Sequence, residues 1–164
     1  MNARGTVSRH DTLAAVAAEH RETARRALEE VCSGRDLAAV EDVYSDRFVD
    51  HVNALEYRGT EGACRSVALY LKLFPDLSFR VDEQVTERDR VASRWTLRGT
   101  HRGRRVQLPG TVISRFEECK IVQDWAASDT LELARQLGVW RSLLLLLKHG
   151  RLLREQARAG ASPS

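Results

Sequence analysis

Apolar and polar residues alternate along the second half of the chain, which is the pattern of half-buried β-strands. The alternation is clearest over 77–82, 90–97, 111–116 and 120–127, and turn residues separate these runs. Short alternating runs joined by tight turns predict an antiparallel meander. One further short strand is predicted over 48–52.

In the first half of the chain, apolar residues recur at helical spacing instead. This spacing predicts helices over about 11–32 and 60–74, with a shorter helix between them. After the meander it predicts a short helix over 130–137 and a last helix over about 140–158. The order of elements indicates an α+β fold, in which N-terminal helices pack on a strongly curved antiparallel sheet. Helices on such a sheet leave a cavity, where small-molecule sites are common.

The length of 164 residues fits one domain with an appendage. We expect a domain over 1–138, whose first ten residues are disordered, and an appended amphipathic basic helix with a frayed tail over 139–164. No apolar run reaches the roughly 20 residues that a membrane span needs, and the N-terminus shows no apolar signal sequence. Three cysteines without paired spacing fit reduced thiols, so the predicted location is cytoplasmic.

The charge is unevenly distributed. Residues 139–164 carry five basic residues and one acidic residue, a net charge of +4, whereas the other residues sum to −1. A nearly neutral folded body argues against nucleic-acid binding, which needs a basic patch. The basic helix could lie on a membrane surface, or it could pack on its own domain or on a second copy. We favour the second alternative, with no stable membrane insertion, and predict a homodimer.

Sequence motifs for metals and cofactors are missing. The histidines and carboxylates lack the spacing of a zinc site, and the chain has no glycine-rich phosphate loop and no nucleophile-elbow motif. We therefore expect neither a metal nor a cofactor.

Polar and aromatic residues occupy positions that the alternation assigns to the inner face of the sheet. They predict a pocket for a small apolar or aromatic ligand. These residues are Arg94, Thr96, His101, Gln123, Trp125 and Asp129. His51 is expected at the mouth of the pocket, and Tyr70 on a helix is expected to supply flat apolar surface together with Trp125. Alternatively, Tyr70 and Trp125 pack in the core without a ligand, and His51 has a structural role.

Two of these residues are candidate catalytic groups. Asp129 could act as a general base if it is buried beside an indole, and its alternative role is to cap the helix that follows. His101 could be a second acid/base group, or a surface turn residue. Arg94 could hold an oxyanion by charge-assisted hydrogen bonds, or it could form a salt bridge across the sheet.

Several short motifs, in this order, resemble those of a known family. They are Phe48–His51, Arg58-Gly59-Thr60-Glu61-Gly62, Phe74-Pro75-Asp76, Arg94-Trp95-Thr96, Gly99-Thr100-His101, Lys120-Ile121-Val122, Trp125 with Asp129, and Gln136-Leu137-Gly138. Over about 12–138 the chain resembles the SnoaL-like polyketide cyclases, or ester cyclases. The resemblance implies the nuclear transport factor 2-like cone, and a cyclase that closes a polyketide ring by an aldol reaction without cofactor or metal.

The sequence departs from the family pattern at the catalytic positions. The family's catalytic aspartate aligns with Ala126 and its accompanying histidine aligns near Val112. Neither side chain can transfer a proton. Two hypotheses follow: a cofactor-independent enzyme, either a cyclase or a relative with altered chemistry such as a hydroxylase, and a non-catalytic small-molecule binding module with the same pocket.

Overall fold

The structure is a computed structural model that describes residues 9–52 and 55–138. The chain divides into two compact units, 1–129 and 130–164. The predicted helix over 140–158 and the predicted domain boundary at residue 138 concern a region largely outside the described residues. Each unit is therefore described by itself.

The described part of the first unit contains three helices. Helix α1 spans Arg9–Arg26 and continues as a π-helical segment over Ala27–Cys32, which confirms the predicted first helix. Gly34, with a φ of +68°, follows it in the left-handed conformation that glycine adopts without strain. Helix α2 (Val40–Val43) is shorter than expected, and α3 (Gly59–Leu73) matches the predicted third helix.

Six strands form one sheet. They are β1 (Tyr44–Val52), β2 (Leu55–Arg58), β3 (Ser78–Glu87), β4 (Arg90–His101), β5 (Arg104–Glu117) and β6 (Lys120–Ser128). The order across the sheet is β2-β1-β6-β5-β4-β3. The antiparallel meander of β3 to β6 is confirmed. Strand β2, which was not predicted, pairs antiparallel with β1, and β1 joins the meander by pairing in parallel with β6.

The core lies between the helices and one face of the sheet. Helix α3 packs on β1 and the π-helical segment packs on β3. Buried residues from both layers form this core, among them Val31, Val43, Phe48, Phe116 and Ile121. His20 belongs to the same layer: its ring stacks on Phe116 with centroids 4.3 Å apart. This arrangement is the predicted α+β fold, with a curved sheet that is not closed.

A β-bulge in β6 decides which residues face the helices. Arg115 pairs with Gln123, but the next residue, Phe116, pairs with Ile121, so Val122 is an extra residue in β6. Ile121 and Val122 are consequently both buried. Beyond the bulge the inward positions are those of Asp124 and Ala126. The assignment of Gln123 and Trp125 to the inner face was therefore wrong by one residue.

In the second unit, the described part is helix α4 (Thr130–Leu137). It coincides with the predicted short helix. Within it Glu132 accepts hydrogen bonds from Arg135 at 2.6 and 2.7 Å and from Gln136 at 2.7 Å. Pairs at these spacings add a few tenths of a kcal/mol each to an exposed helix.

Candidate functional site

A cavity lies between the helices and the inner face of the sheet. Its volume is about 70 Å³, and the empty space reaches about 680 Å³ when the open solvent at its mouth is included. Most of its lining is apolar or aromatic. Two carboxyl groups lie in this lining, those of Asp50 and Asp124.

Sheet pairing brings the two aspartates together. Asp50 on β1 is the register partner of Asp124 on β6 in the parallel pair. Neighbouring strands lie about 4.8 Å apart, and register partners on one face have adjacent side chains. Because both residues line the cavity, their carboxyl groups form a pair in an apolar environment.

Burial changes the acidity of both groups. Burial raises the pKa of Asp50 from 3.8 to about 7. Burial, and secondarily repulsion from Asp50, raises the pKa of Asp124 from 3.8 to about 8, although a hydrogen bond with the Ser114 side chain opposes the change. Two nearby carboxyls in an apolar cavity cannot both ionise easily. Near neutral pH the pair therefore holds a proton that it can give and take back, as general acid/base catalysis requires.

Neutral hydroxyl and thiol groups surround the pair. The Cys32 Sγ lies 3.7 Å from the Tyr44 Oη. Burial raises the pKa of Cys32 to about 12 and that of Tyr44 well above 10. Burial likewise raises the pKa of Tyr70. All three groups therefore stay uncharged at neutral pH and can act only as neutral hydrogen-bonding partners.

Trp95 and Phe79 form an aromatic part of the cavity lining. Their rings meet edge to face, with centroids 5.0 Å apart. Gly110 on β5 makes room for the indole, because a Cβ at this position would overlap the six-membered ring of Trp95. The glycine therefore lets a large side chain lie against the neighbouring strand.

Only Tyr70, among the eight residues predicted for the site, lies in the lining of this cavity. Arg94 is on the opposite face, 58% exposed, with its Nε 3.5 Å from Glu83. Thr96 is buried, but its hydroxyl donates a 2.7 Å hydrogen bond to Asp82. On β4 the inward residue is Trp95 instead, since side chains alternate between the two faces.

Three predicted residues cluster on the outer face of the sheet. His51 stacks near Trp125 with centroids 6.0 Å apart, and its Nε2 lies 3.1 Å from the side-chain nitrogen of Gln123. The guanidinium of Arg90 lies 5.4 Å from the centre of the Trp125 ring. The bulge in β6 turns Gln123 and Trp125 to this side.

The two predicted catalytic residues are not brought together. Asp129 is exposed and lines a surface pocket with Arg94 and Thr111. The Nδ1 of His101 is 2.9 Å from the carbonyl oxygen of Leu73, and its ring meets Phe74 edge to face. The expectation that both point into one cavity was wrong, and their catalytic roles stay untested predictions.

Asp124 was missed because its neighbours Gln123 and Trp125 were assigned to the inner face, and Asp50 was missed because its neighbour His51 was expected at the mouth of the pocket. A usable signal existed: Asp124 lies between the apolar Val122 and the small Ala126 at alternate positions. The positions of Ala126 and Val112 are themselves informative. They are cross-strand partners and both line the cavity, so the positions that the resemblance aligned with catalytic residues face the same space as the aspartate pair.

Among the described residues, no group of three or more His, Cys, Asp or Glu side chains could hold a metal ion. No helix in the same part of the chain is long and apolar enough to cross a membrane.

Comparison with known proteins agrees with this architecture. The sequence profile of the SnoaL-like polyketide cyclases matches residues 22–137. No curated protein matches the chain. Among solved structures, a proposed polyketide cyclase from Bacillus cereus is 24% identical with a TM-score of 0.68, over 74% of this chain and 82% of that one.

Two Streptomyces structures are also similar. IdmH from Streptomyces antibioticus, a proposed polyketide cyclase, is 25% identical with a TM-score of 0.65, over 73% of this chain and 98% of its own. AclR from Streptomyces galilaeus, a proposed hydroxylase, is 26% identical with a TM-score of 0.63, over 74% and 97% of the two chains.

Proposed function

Because the chain belongs to the SnoaL-like polyketide cyclase family, we propose that it closes a ring in a polyketide-like molecule by acid/base catalysis in the buried cavity. The observation that carries the proposal is the Asp50–Asp124 pair. It supplies one carboxylate and one carboxylic acid near neutral pH. The family's own catalytic positions, Ala126 and Val112, supply neither.

The proposed reaction is an intramolecular aldol addition. The ionised carboxylate takes a proton from a carbon next to a carbonyl group, and the resulting enolate carbon bonds to a second carbonyl carbon of the same molecule. The protonated carboxyl gives its proton to the oxygen of that second carbonyl. The pair has then exchanged one proton for another, so the step needs no oxidant or reductant.

The cavity fits the reacting end of such a substrate better than the whole molecule. A volume of about 70 Å³ is less than the roughly 150 Å³ of a cavity that holds benzene. The remainder of a flat substrate would occupy the solvent-connected space at the mouth, where Tyr70, Phe79 and Trp95 offer aromatic surface.

The test combines product analysis with isotope exchange. Purified protein is incubated in deuterated water with aromatic polyketides that carry uncyclised carbonyl side chains, and chromatography with mass detection follows ring closure and deuterium uptake. We expect both without an added cofactor. Asp50→Asn and Asp124→Asn should each lower the rate at least about 100-fold, the usual size of a lost general acid or base. The surface variant Asp42→Asn should leave it unchanged.

A second candidate function is a non-catalytic binding module. It is favoured by Ala126 and Val112, which line the cavity and cannot transfer protons. It predicts ligand binding without ring closure and without deuterium uptake. The same incubation distinguishes the two functions, provided that affinity is measured in parallel.

We also propose that two copies associate through the outer face of the sheet. Val85, Ile113 and Trp125 are 64%, 42% and 36% exposed there. Apolar side chains grouped on one face are typical of a protein–protein contact.

A further inference from the structure

Within the described part of the chain, the acidic groups of the cavity have no basic partner in its lining. The described residues that line it include Asp50 and Asp124 but no lysine, arginine or histidine. Proteins rarely bury carboxylates without a cation or several hydrogen-bond donors. Four groups that interact with one or both aspartates are all uncharged at neutral pH. They are Tyr44, Tyr70, Cys32 and Ser114. If either carboxylate is ionised, its counter-charge has to come from outside the lining.

One oxygen of Asp124 also lacks a hydrogen-bond donor. The residue is only 7% exposed, and within the described part of the chain its Oδ1 has no hydrogen-bond partner. An unsatisfied buried acceptor costs free energy, so a partner such as an ion or a bound donor group stabilises it. A group that enters the cavity with an N–H donor would supply what this oxygen lacks.

We infer that this cavity is a binding site for a compact ammonium group, the protonated end of a primary or secondary alkylamine. The N–H groups would donate to Asp124 and Asp50, and the alkyl carbons would contact Tyr70, Phe79 and Trp95. Aromatic faces attract such cations. The inference goes beyond the proposed ring closure, because it assigns a ligand class to the cavity whatever reaction occurs there.

Size favours a small ammonium group over a large one. A cavity of about 150 Å³ holds benzene, with its six heavy atoms, so a cavity of about 70 Å³ suits a group of about three heavy atoms. A hard metal ion fits less well. Magnesium and calcium need six or more oxygen ligands, and no cluster of three metal-ligating side chains is present in the described residues.

Binding would exchange one positive charge for another. In the empty cavity the pair retains a proton at neutral pH, since the carboxyls titrate near 7 and 8. When the ammonium group enters, this proton leaves to solvent and the ion pair takes its place. Affinity should therefore rise with pH until the carboxyls are ionised.

Three probes of similar size and different charge test the inference: dimethylammonium, acetone and acetate. Alkylamines titrate near the pKa of lysine, about 10.4, so dimethylammonium stays charged from pH 6 to 9. We would titrate each probe into the isotope-labelled protein and follow the amide resonances of Ser114, Asp124 and Ala126 by NMR. The dimethylammonium affinity is expected to rise at least tenfold between pH 6 and 9. Acetate should not shift these resonances, and acetone should shift them less than dimethylammonium at pH 9.

Variants and competition complete the test. Asp124→Asn should lower the affinity at pH 9 at least tenfold, and the exposed Asp42→Asn should not change it. If Asp124→Asn does not fold, the pH series on the unmodified protein still decides. Equal shifts from acetone, an affinity independent of pH, or displacement of dimethylammonium by magnesium chloride at constant ionic strength would each overturn the inference. Because these experiments measure binding alone, a protein that closes no ring can still confirm the ammonium site.

Discussion

Asp50 on β1 and Asp124 on β6 are register partners in the parallel pair of the sheet, and both side chains line one buried cavity. This relationship depends on two features of the chain. The parallel contact sets the strands side by side, and the bulge at Val122 turns Asp124 inward. The proposed proton transfer in the cavity therefore depends on the register of β6 as much as on the two aspartates.

The first prediction concerns stability and pH. The folded-state pKa values of about 7 and 8 lie above the ordinary 3.8, so the folded protein keeps protons that the unfolded chain releases. The contribution of each group to stability is full below about pH 4 and is lost as pH rises through 7 for Asp50 and 8 for Asp124. Asn at residue 124 cannot titrate, so Asp124→Asn removes the Asp124 part of this pH dependence. Between pH 5 and 9 the free energy of unfolding of the variant should fall by at least about 1 kcal/mol less than that of the unmodified protein.

Urea unfolding of both proteins at pH 5, 7 and 9 measures this difference. The control is Asp42→Asn, whose pH dependence should match that of the unmodified protein. If the free energies of unfolding of Asp124→Asn and the unmodified protein change equally with pH, the folded state ionises Asp124 as easily as the unfolded chain does, and the prediction is wrong.

The second prediction concerns the close approach of Gly110 and Trp95. A methyl group at residue 110 would overlap the indole, so Gly110→Ala should displace the ring and cost about 1–3 kcal/mol of stability, as overpacking does. Trp95→Phe removes the ring atoms that would clash. The double variant should therefore be more stable than the sum of the two single changes allows. Urea unfolding of all four proteins gives the coupling, and additive costs would rule out the clash.

The elements of the fold could be predicted from local patterns, whereas the inward face of each strand could not. Helix α3 and the β4–β6 meander follow directly from spacing and turn residues. The face of β6 depends on the bulge at Val122, which is set by the pairing of Ile121 with Phe116 and not by the sequence around Val122. A slip of one residue moves every side chain to the other face. The prediction therefore placed Trp125 on the inner face, where the structure has Asp124.

Two other features of the site depend on contacts far apart in sequence. The parallel pairing of Asp50 with Asp124 joins residues from the two halves of the chain, and no local signal encodes it. Thr96 is buried as predicted for an inner residue, but Asp82 on β3 accepts its hydroxyl hydrogen bond. Ala126 and Val112, which the family resemblance aligned with catalytic residues, line the cavity, and the two aspartates line it with them.

The third prediction concerns His20, which joins helix α1 to the β5–β6 turn. Its Nε2 donates a 2.8 Å hydrogen bond to the carbonyl oxygen of Glu118, and its ring stacks on Phe116. His20→Ala removes both contacts and leaves a buried void, so it should cost about 2–4 kcal/mol. His20→Phe keeps the stack and loses only the hydrogen bond, at about 1 kcal/mol. Urea midpoints for the two variants check the order, and equal costs would mean that stacking adds nothing.

The last prediction concerns the proposed dimer. Ile113 and Val85 are exposed on the outer face of the sheet, near the Trp125 ring over which Arg90 lies. A lysine at an apolar contact has to be desolvated, which costs several kcal/mol when the charge has no partner. Ile113→Lys should therefore convert a dimer to a monomer in light scattering after gel filtration, while the circular dichroism spectrum stays unchanged. Leu131→Lys, an equally apolar exposed change on α4, is the matched control and should leave the mass unchanged. A dimer that survives Ile113→Lys, or a monomer before any change, would exclude this face as the interface.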